Sequence, residues 1–322
     1  MRLRWCSAIL AAFAVSVSTP TPAQEAEEPI VVIGARAAEF AQNYAAEIAL
    51  ASAAENQYAR WSGEMCPSVA GLSTADSQIL IDHIAQRARL VGVETGRTGC
   101  QRNLVIIFAP DSDIIAREIV DTRRDLLGYY TTEDAATAGR EALEAFATTS
   151  RPVRWWHVAY TVSADGRRLA DTDTRVGRGT GDAVGASQGQ GSDAILRGNG
   201  FAGAEAVRSQ GSRFRRSTRQ DIGFALIIVD TRRIAGLPPA AVADYVAMAA
   251  LVQLDPNADM RAFPSILNLF TDHEAGQSVN LAMTSWDLGY LQGLYSATRE
   301  AASARQQRSQ IARRIVREVT GN

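Results

Sequence analysis

Residues 222–229 read Ile-Gly-Phe-Ala-Leu-Ile-Ile-Val, an apolar run with the length and composition of a buried β-strand. Pro238 and Pro239 follow this run and open a predicted helix that extends to Leu254. Upstream, residues 104–108 read Leu-Val-Ile-Ile-Phe, a second buried-strand run that ends before Pro110. We interpret the mixture of predicted helices and strands as an α+β fold in one globular body.

Local signals place further elements around these strands. Ser73 and Asp76 form a capping-box signature for a helix that stops at Gly92, and Thr284 with Asp287 predicts a helix through Tyr295. Residues 153–163 fit a strand that turns at 164–166. The other predicted elements are helices over 37–57, 112–127, 133–146 and 302–319, and an edge strand over 213–219.

The N-terminus has the three parts of a secretory signal. Arg2 and Arg4 precede an apolar stretch that runs from Trp5 to Val17, and small residues follow as far as Ala23. We expect cleavage near Ala23 and a periplasmic or secreted mature chain. The stretch is shorter than the roughly 20 apolar residues of a membrane-spanning helix, so an integral membrane protein is not expected.

Composition divides the chain into five predicted parts. These are a signal peptide at 1–23, a flexible N-terminal segment at 24–36, an N-terminal α/β part at 37–169, a Gly/Ser-rich loop at 170–212 and a C-terminal α+β part at 213–322.

Charge and cysteine usage exclude several functions. All 33 basic residues are arginine, which excludes lysine-dependent Schiff-base, P-loop and Ser-Lys chemistry. The formal net charge of −2 becomes −4 without Arg2 and Arg4, so nucleic acid is not an expected partner. Loss of the signal leaves two cysteines, Cys66 and Cys100, which an oxidising compartment favours as a disulfide.

A β-branched run, Ile30-Val31-Val32-Ile33, stands just after the signal and ends at Gly34. Such a run resembles the TonB box of outer-membrane receptors, and Ile30, Val31 and Val32 are therefore candidate TonB contacts. Because the chain is too short for the plug and barrel of a receptor, an edge strand or a loose tail is the favoured interpretation.

Two short motifs match patterns for catalysis. Residues 185–189 match G-x-S-x-G, which makes Ser187 a candidate nucleophile with His273 as its base. The flanking residues make neither the strand nor the helix that this turn requires, so a chance match is favoured. His273-Glu274 begins a broken H-E-x-x-H, in which Gln277 stands where zinc needs a second histidine.

Trp155 and Trp156 lie next to each other in the strand predicted over 153–163. Neighbouring residues of a strand point to opposite faces, so one ring is expected in the core and the other is a candidate for a binding surface. The remaining histidines, His83 and His157, are predicted to be hydrogen-bonded residues of a helix and of this strand.

The C-terminal part resembles the zincin metalloproteases in the order of its segments. The helix Val242–Leu251 is followed by Pro264-Ser265-Ile266 and then by a helix of the form L-T-x-x-D-x-x-x-L-x-x-L-Y, here Met283–Tyr295. The match is closer still to a bacterial secreted family of unknown function whose first helix reads E-E-L-A-Q-A-L-G-L. The resemblance implies a zincin-like core for residues 222–296.

The same resemblance implies that the metal site is degenerate. Ala243 and Ala247 stand at the positions of the two zinc-binding histidines, and Asp244 stands at the position of the catalytic glutamate. Alanine has no donor atom for zinc. No metal, cofactor or catalytic residue is therefore expected, and the face with Ala243, Asp244 and Ala247 is the candidate binding groove.

We therefore expect an exported, non-catalytic protein that binds a peptide or an envelope protein. A secreted hydrolase is the alternative, either through Ser187 and His273 or through a metallopeptidase site that the sequence does not reveal.

Overall fold

The computed structural model describes residues 29–53, 55–128, 135–166 and 214–321. In these ranges the strands are β1 (Pro67–Ala70), β2 (Leu104–Ala109), β3 (Ala135–Ala136), β4 (Val153–Ser163) and β5 (Thr218–Asp230). The α-helices are α1 (Pro29–Glu47), α2 (Thr74–Arg89), α3 (Ser112–Thr122), α4 (Arg140–Thr148), α5 (Pro239–Leu251), α6 (Leu269–Glu274), α7 (Ser285–Ser296) and α8 (Ala304–Thr320). The fold is α+β, as predicted. The predicted signal peptide and the Gly/Ser-rich loop, which contains Ser187, lie outside the described residues.

The five strands form one mixed sheet in the order β1-β2-β5-β4-β3. β1, β2 and β5 are parallel, with Leu104 of β2 opposite Ala225 of β5. β4 runs antiparallel to β5, and its first residue, Val153, lies opposite Val229. Ala135 and Ala136 of β3 pair with Tyr160 and Ala159 of β4. The two predicted apolar runs, β2 and β5, therefore lie side by side in the sheet.

Both faces of the sheet are buried, which explains why β2 and β5 are apolar without alternation. One face, with Ile106 and Ile227, packs against a core that includes α1, α2, α5, α7 and α8. The opposite face, with Leu226 and Ile228, packs against α3 and α4.

The N-terminal run departs from the prediction. Ile30, Val31 and Val32 belong to α1 in the structure, so the expected edge strand or loose tail is wrong. Pro29 begins the helix, since proline has the backbone φ of a first helical residue and needs no hydrogen bond there. The alanine-rich sequence that follows propagates the helix, although it ends at Glu47 and not at residue 57.

Other boundaries differ where tertiary pairing intervenes. The chain after α1 leaves the helix because Ala49 bridges to Leu254 and Ala51 to Tyr58. The helix predicted over 133–146 is α4, which begins only at Arg140, after β3. The predicted edge strand over 213–219 contributes only its last residues to β5, and Arg215 makes an isolated bridge with Ala301.

Capping signals located two helix starts correctly. The Ser73 hydroxyl accepts from the Asp76 backbone N–H at the start of α2. In α7 the capping box is complete, because Thr284 accepts from the Asp287 N–H and Asp287 accepts from the Thr284 N–H. The Asp287 carboxylate also accepts hydrogen bonds from the hydroxyls of Tyr44 and Ser265, at 2.7 and 2.6 Å. This buried carboxylate therefore joins α1 to the start of α7.

Glycines allow α7 and α8 to pack closely. A Cβ atom on Gly293 would lie 2.8 Å from the Cα atom of Ile311, and one on Gly289 would lie 2.8 Å from the Cα atom of Ile315. The two helices therefore touch backbone to backbone, along the thin apolar stripe of the arginine-rich helix α8.

The predicted disulfide between Cys66 and Cys100 is present, with the two Cα atoms 6.0 Å apart. It joins the residue before β1 to the segment that leads into β2. No helix within the described ranges is both long and apolar enough to cross a bilayer.

Candidate functional site

Helix α5 is buried from Ala241 to Leu251, as expected of a helix that is apolar on all sides. Its sequence is rich in alanine, and small side chains let neighbouring elements approach from all sides. α2 covers one side of the helix, where the zincin resemblance places the metal ligands.

Asp244 is the one acidic residue of α5, and its carboxylate is fully engaged. The Arg87 guanidinium donates from Nε to Oδ1 at 2.7 Å and from Nη2 to Oδ2 at 2.8 Å. His83 Nε2 lies 2.5 Å from Oδ1, and the Met283 N–H donates to Oδ2 at 2.8 Å. Asp244 thus joins α2 to α5 and to the segment before α7.

These contacts set the charge state of Asp244. Burial alone would raise the pKa of its carboxyl, but the hydrogen bonds from Arg87, His83 and Met283 outweigh burial and hold the pKa below its ordinary value. Asp244 is therefore an ionised structural residue of the α2–α5 interface.

The face proposed as a binding groove is covered in this structure. Ala243, Asp244 and Ala247 are all buried, at 5%, 1% and 0% exposure. A ligand would reach Asp244 only if α2 moved away. Ala243 and Ala247 belong to the packed core.

The other sequence candidates are scattered. His273 is exposed near the end of the short helix α6, which ends at Glu274, one residue on. Glu274 forms an ion pair with Arg233 at 2.5 Å. Ser187 lies outside the described residues, so the structure does not relate it to His273. Within the ranges that the structure describes, no three His, Cys, Asp or Glu side chains are grouped to hold a metal ion.

A cleft of about 540 Å³ lies on another side of α5. Its walls are the start of β4, the Tyr245 side of α5, the segment 254–261 and helix α6. This volume is within the range of small-ligand sites, roughly 300–1,000 Å³. The cleft is therefore a better candidate for a binding site than the covered face at Asp244.

Three aromatic rings form the floor of the cleft. The ring of Tyr245 lies 4.6 Å from that of Phe270 in an edge-on contact and 6.4 Å from that of Trp155. The Trp155 indole N–H donates to the Leu254 carbonyl at 3.2 Å, which fixes its ring against the wall. Such a floor offers a rigid apolar surface to a ligand.

The strand alternation predicted for the tryptophan pair is confirmed. Trp156 is buried at 3% exposure and donates to the Leu127 carbonyl on the α3 side of the sheet. Trp155 is only partly buried and lines the cleft on the opposite side.

Most charged groups on the cleft rim are already paired. Arg261 binds both carboxylate oxygens of Asp259, and Glu274 is paired with Arg233. Arg151 differs, because its one hydrogen bond within the described part of the chain goes to the Pro256 carbonyl. Asp255 accepts a hydrogen bond from the Asn257 N–H and forms no ion pair with a described residue.

Tyr245 is the polar group of the floor. Its side chain is more than nine-tenths buried, and its hydroxyl forms no hydrogen bond within the described ranges. Burial raises the pKa of this hydroxyl, against the opposing effect of the nearby Arg151 guanidinium. The hydroxyl therefore stays protonated and is a donor at the cleft wall.

Sequence reasoning singled out Trp155 but missed Arg151, Tyr245 and Phe270. Tyr245 is the only aromatic residue in a helix of small and aliphatic residues, a signal that was readable. Arg151 and Phe270 carry no local signal, because only the tertiary fold brings them to Tyr245.

Comparison of the chain with protein-family models, with curated proteins and with solved structures found no match.

Proposed function

We propose that this chain is an exported, non-catalytic protein that binds a peptide or protein partner in the cleft floored by Trp155, Tyr245 and Phe270. The cleft itself carries the proposal, since it combines an aromatic floor with Arg151, which forms no ion pair with a described residue, and with the Tyr245 hydroxyl, which has no hydrogen-bond partner among them.

Export is supported by the signal-like N-terminus and by the disulfide between Cys66 and Cys100, which is typical of an oxidising compartment. The degenerate zincin relationship of residues 222–296 is part of the proposal. In its support, Asp244 is engaged by Arg87 and His83, and Ala243 and Ala247 are buried.

Hydrogen–deuterium exchange with and without bound peptides tests the location of binding. The mature chain, from Gln24, is mixed with peptides selected from a random library on the immobilised protein. We expect slower exchange in 254–261 and 269–274 and unchanged exchange in α3, on the opposite face of the sheet. Protection confined to α3, or no selected peptide at all, would overturn the proposal.

The non-catalytic character is tested on the same peptides. Mass spectrometry after prolonged incubation, with and without added zinc, should find them intact. Cleavage by the wild type that is lost in Tyr245→Phe would show instead that the cleft is an active site.

A further inference from the structure

We propose that the cleft binds the C-terminal end of a peptide, with Arg151 and Tyr245 holding the terminal carboxylate and the aromatic floor holding the last side chain. This inference rests on the proposed function and names the chemistry of its ligand.

The cation supplies the first argument. A guanidinium carries five N–H donors, and Arg151 uses its Nη1 for a single carbonyl, that of Pro256. The other arginine that lines the cleft, Arg261, forms an ion pair with Asp259, and the lining residue Glu274 is paired with Arg233. Arg151 is thus the one rim guanidinium in the described ranges that remains available to an anion.

The Tyr245 hydroxyl supplies a second, independent argument. The Tyr245 side chain is largely buried, but its hydroxyl is not among the fully buried unpaired polar atoms, so it is accessible from the cleft. The hydroxyl has no hydrogen-bond partner among the described residues, and the ring lines the cleft. A carboxylate accepts several hydrogen bonds at once, so it satisfies both the hydroxyl and the guanidinium.

The position of the aromatic floor selects the end of a chain over an acidic side chain. Trp155, Tyr245 and Arg151 line the same cleft, so the anion and the apolar group of the ligand must be close together. A C-terminal residue carries its side chain and its carboxylate on one Cα atom, whereas Asp and Glu side chains bring no such apolar group.

The remaining acid at the rim limits the charge of the ligand. Asp255 has no ion-pair partner in the described part of the chain and repels a second negative charge. The cleft is therefore suited to a single carboxylate next to an apolar residue, and not to an acidic run.

Three matched peptide libraries test the inference on the immobilised mature chain. All are acetylated random hexapeptides that end in Phe, Trp, Leu or Met. The first has a free C-terminal carboxylate, the second is amidated, and the third is amidated with Glu before the last residue. We expect at least tenfold stronger enrichment of the free acids than of either amidated library, as read by mass spectrometry.

Variants identify the residues responsible. Arg151→Gln should reduce the preference for the free acid to less than threefold, and Tyr245→Phe should weaken binding of the free acid without lowering thermal stability. Arg123→Gln is the matched control, because Arg123 pairs with Asp125 on the far side of the sheet and should leave the preference unchanged.

Each contrary outcome has a distinct meaning. Equal enrichment of acids and amides would overturn the carboxylate inference and leave the cleft as a binding site. Equal enrichment of the Glu-containing amides and the free acids would overturn the choice of a chain end. Enrichment that is the same on the wild type and on Trp155→Ala, for all three libraries, would refute the proposed function itself.

Discussion

Arg87 and Asp244 form a two-point ion pair across the α2–α5 interface, with N–O distances of 2.7 and 2.8 Å. The carboxylate side chain is only 2% exposed, and the guanidinium side chain is 21% exposed. Because a buried charge is costly without its partner, this pair is a structural requirement of the covered face of α5.

Asp244→Asn should therefore lower the free energy of unfolding by about 3 kcal/mol, the scale for breaking a buried ion pair. Urea denaturation of the chain from Gln24 onward measures the effect. Asp125→Asn, which breaks the exposed pair with Arg123, is the matched control and should leave the unfolding midpoint unchanged. A normally stable Asp244→Asn variant that had lost peptide binding would instead assign Asp244 to the binding site.

His157 should make the protein less stable in mild acid. Burial lowers the pKa of its imidazole from 6.5 to about 4, against the backbone of Ala249 and Ala250, which acts to raise it. Below pH 6.5 the unfolded chain binds this proton first, so the free energy of unfolding falls as the pH falls from about 6.5 to about 4. The total loss is about 3 kcal/mol.

Denaturation at several pH values checks this prediction, with His157→Leu as the comparison. The variant should show a flatter dependence between pH 6.5 and 4. Identical pH profiles for the two proteins would show that another group is responsible.

Gly293→Ala should destabilise the protein, although alanine is the better helix former. The new Cβ atom would lie 2.8 Å from the Ile311 backbone, a contact that forces α7 and α8 apart. Overpacking of this kind costs about 1–3 kcal/mol, and improved helix propensity recovers at most about 1 kcal/mol. A midpoint of thermal unfolding above that of the wild type would contradict the close approach of the two helices.

Buried Tyr245 and partly buried Tyr295 should respond differently to loss of the hydroxyl. Tyr295 donates to the Leu251 carbonyl at 2.9 Å, so Tyr295→Phe should cost about 1 kcal/mol of stability and leave peptide binding intact. Tyr245→Phe removes a hydroxyl that has no partner in the described ranges, so its stability should match that of the wild type. Calorimetry separates the two cases, and a Tyr245→Phe variant less stable than Tyr295→Phe would argue against an available hydroxyl in the cleft.

Removal of the disulfide should lower stability by about 4 kcal/mol in the chain-entropy model, because the bond closes a loop with a sequence separation of 34. The double variant Cys66→Ser with Cys100→Ser measures this loss by urea denaturation. Addition of a reductant serves as the control, since it should destabilise the wild type to the same extent and leave the double variant unaffected.

Elements with strong local signals were predictable, and their partners were not. β4 was predicted with its observed bounds, and α2 was located by Ser73. The helical conformation of the run from Ile30 to Gly34 was not predicted. β-Branched residues favour strands only weakly, and the neighbouring alanines continue a helix. The propensity of a few residues therefore does not determine the secondary structure of such a segment.

The sequence by itself determined the α+β class, the cysteine pair and the placement of the two tryptophans of β4 on opposite faces of the sheet. These follow from local periodicity and from the small number of cysteines, which leaves one pairing after residue 23. Only the tertiary structure decided that Asp244 faces Arg87, 157 positions away, and His83, 161 positions away, and that Arg151 and Phe270 meet at Tyr245. The physical reason is that these contacts depend on how α2, α5 and β4 pack together, and that packing cannot be predicted from any local stretch of the sequence.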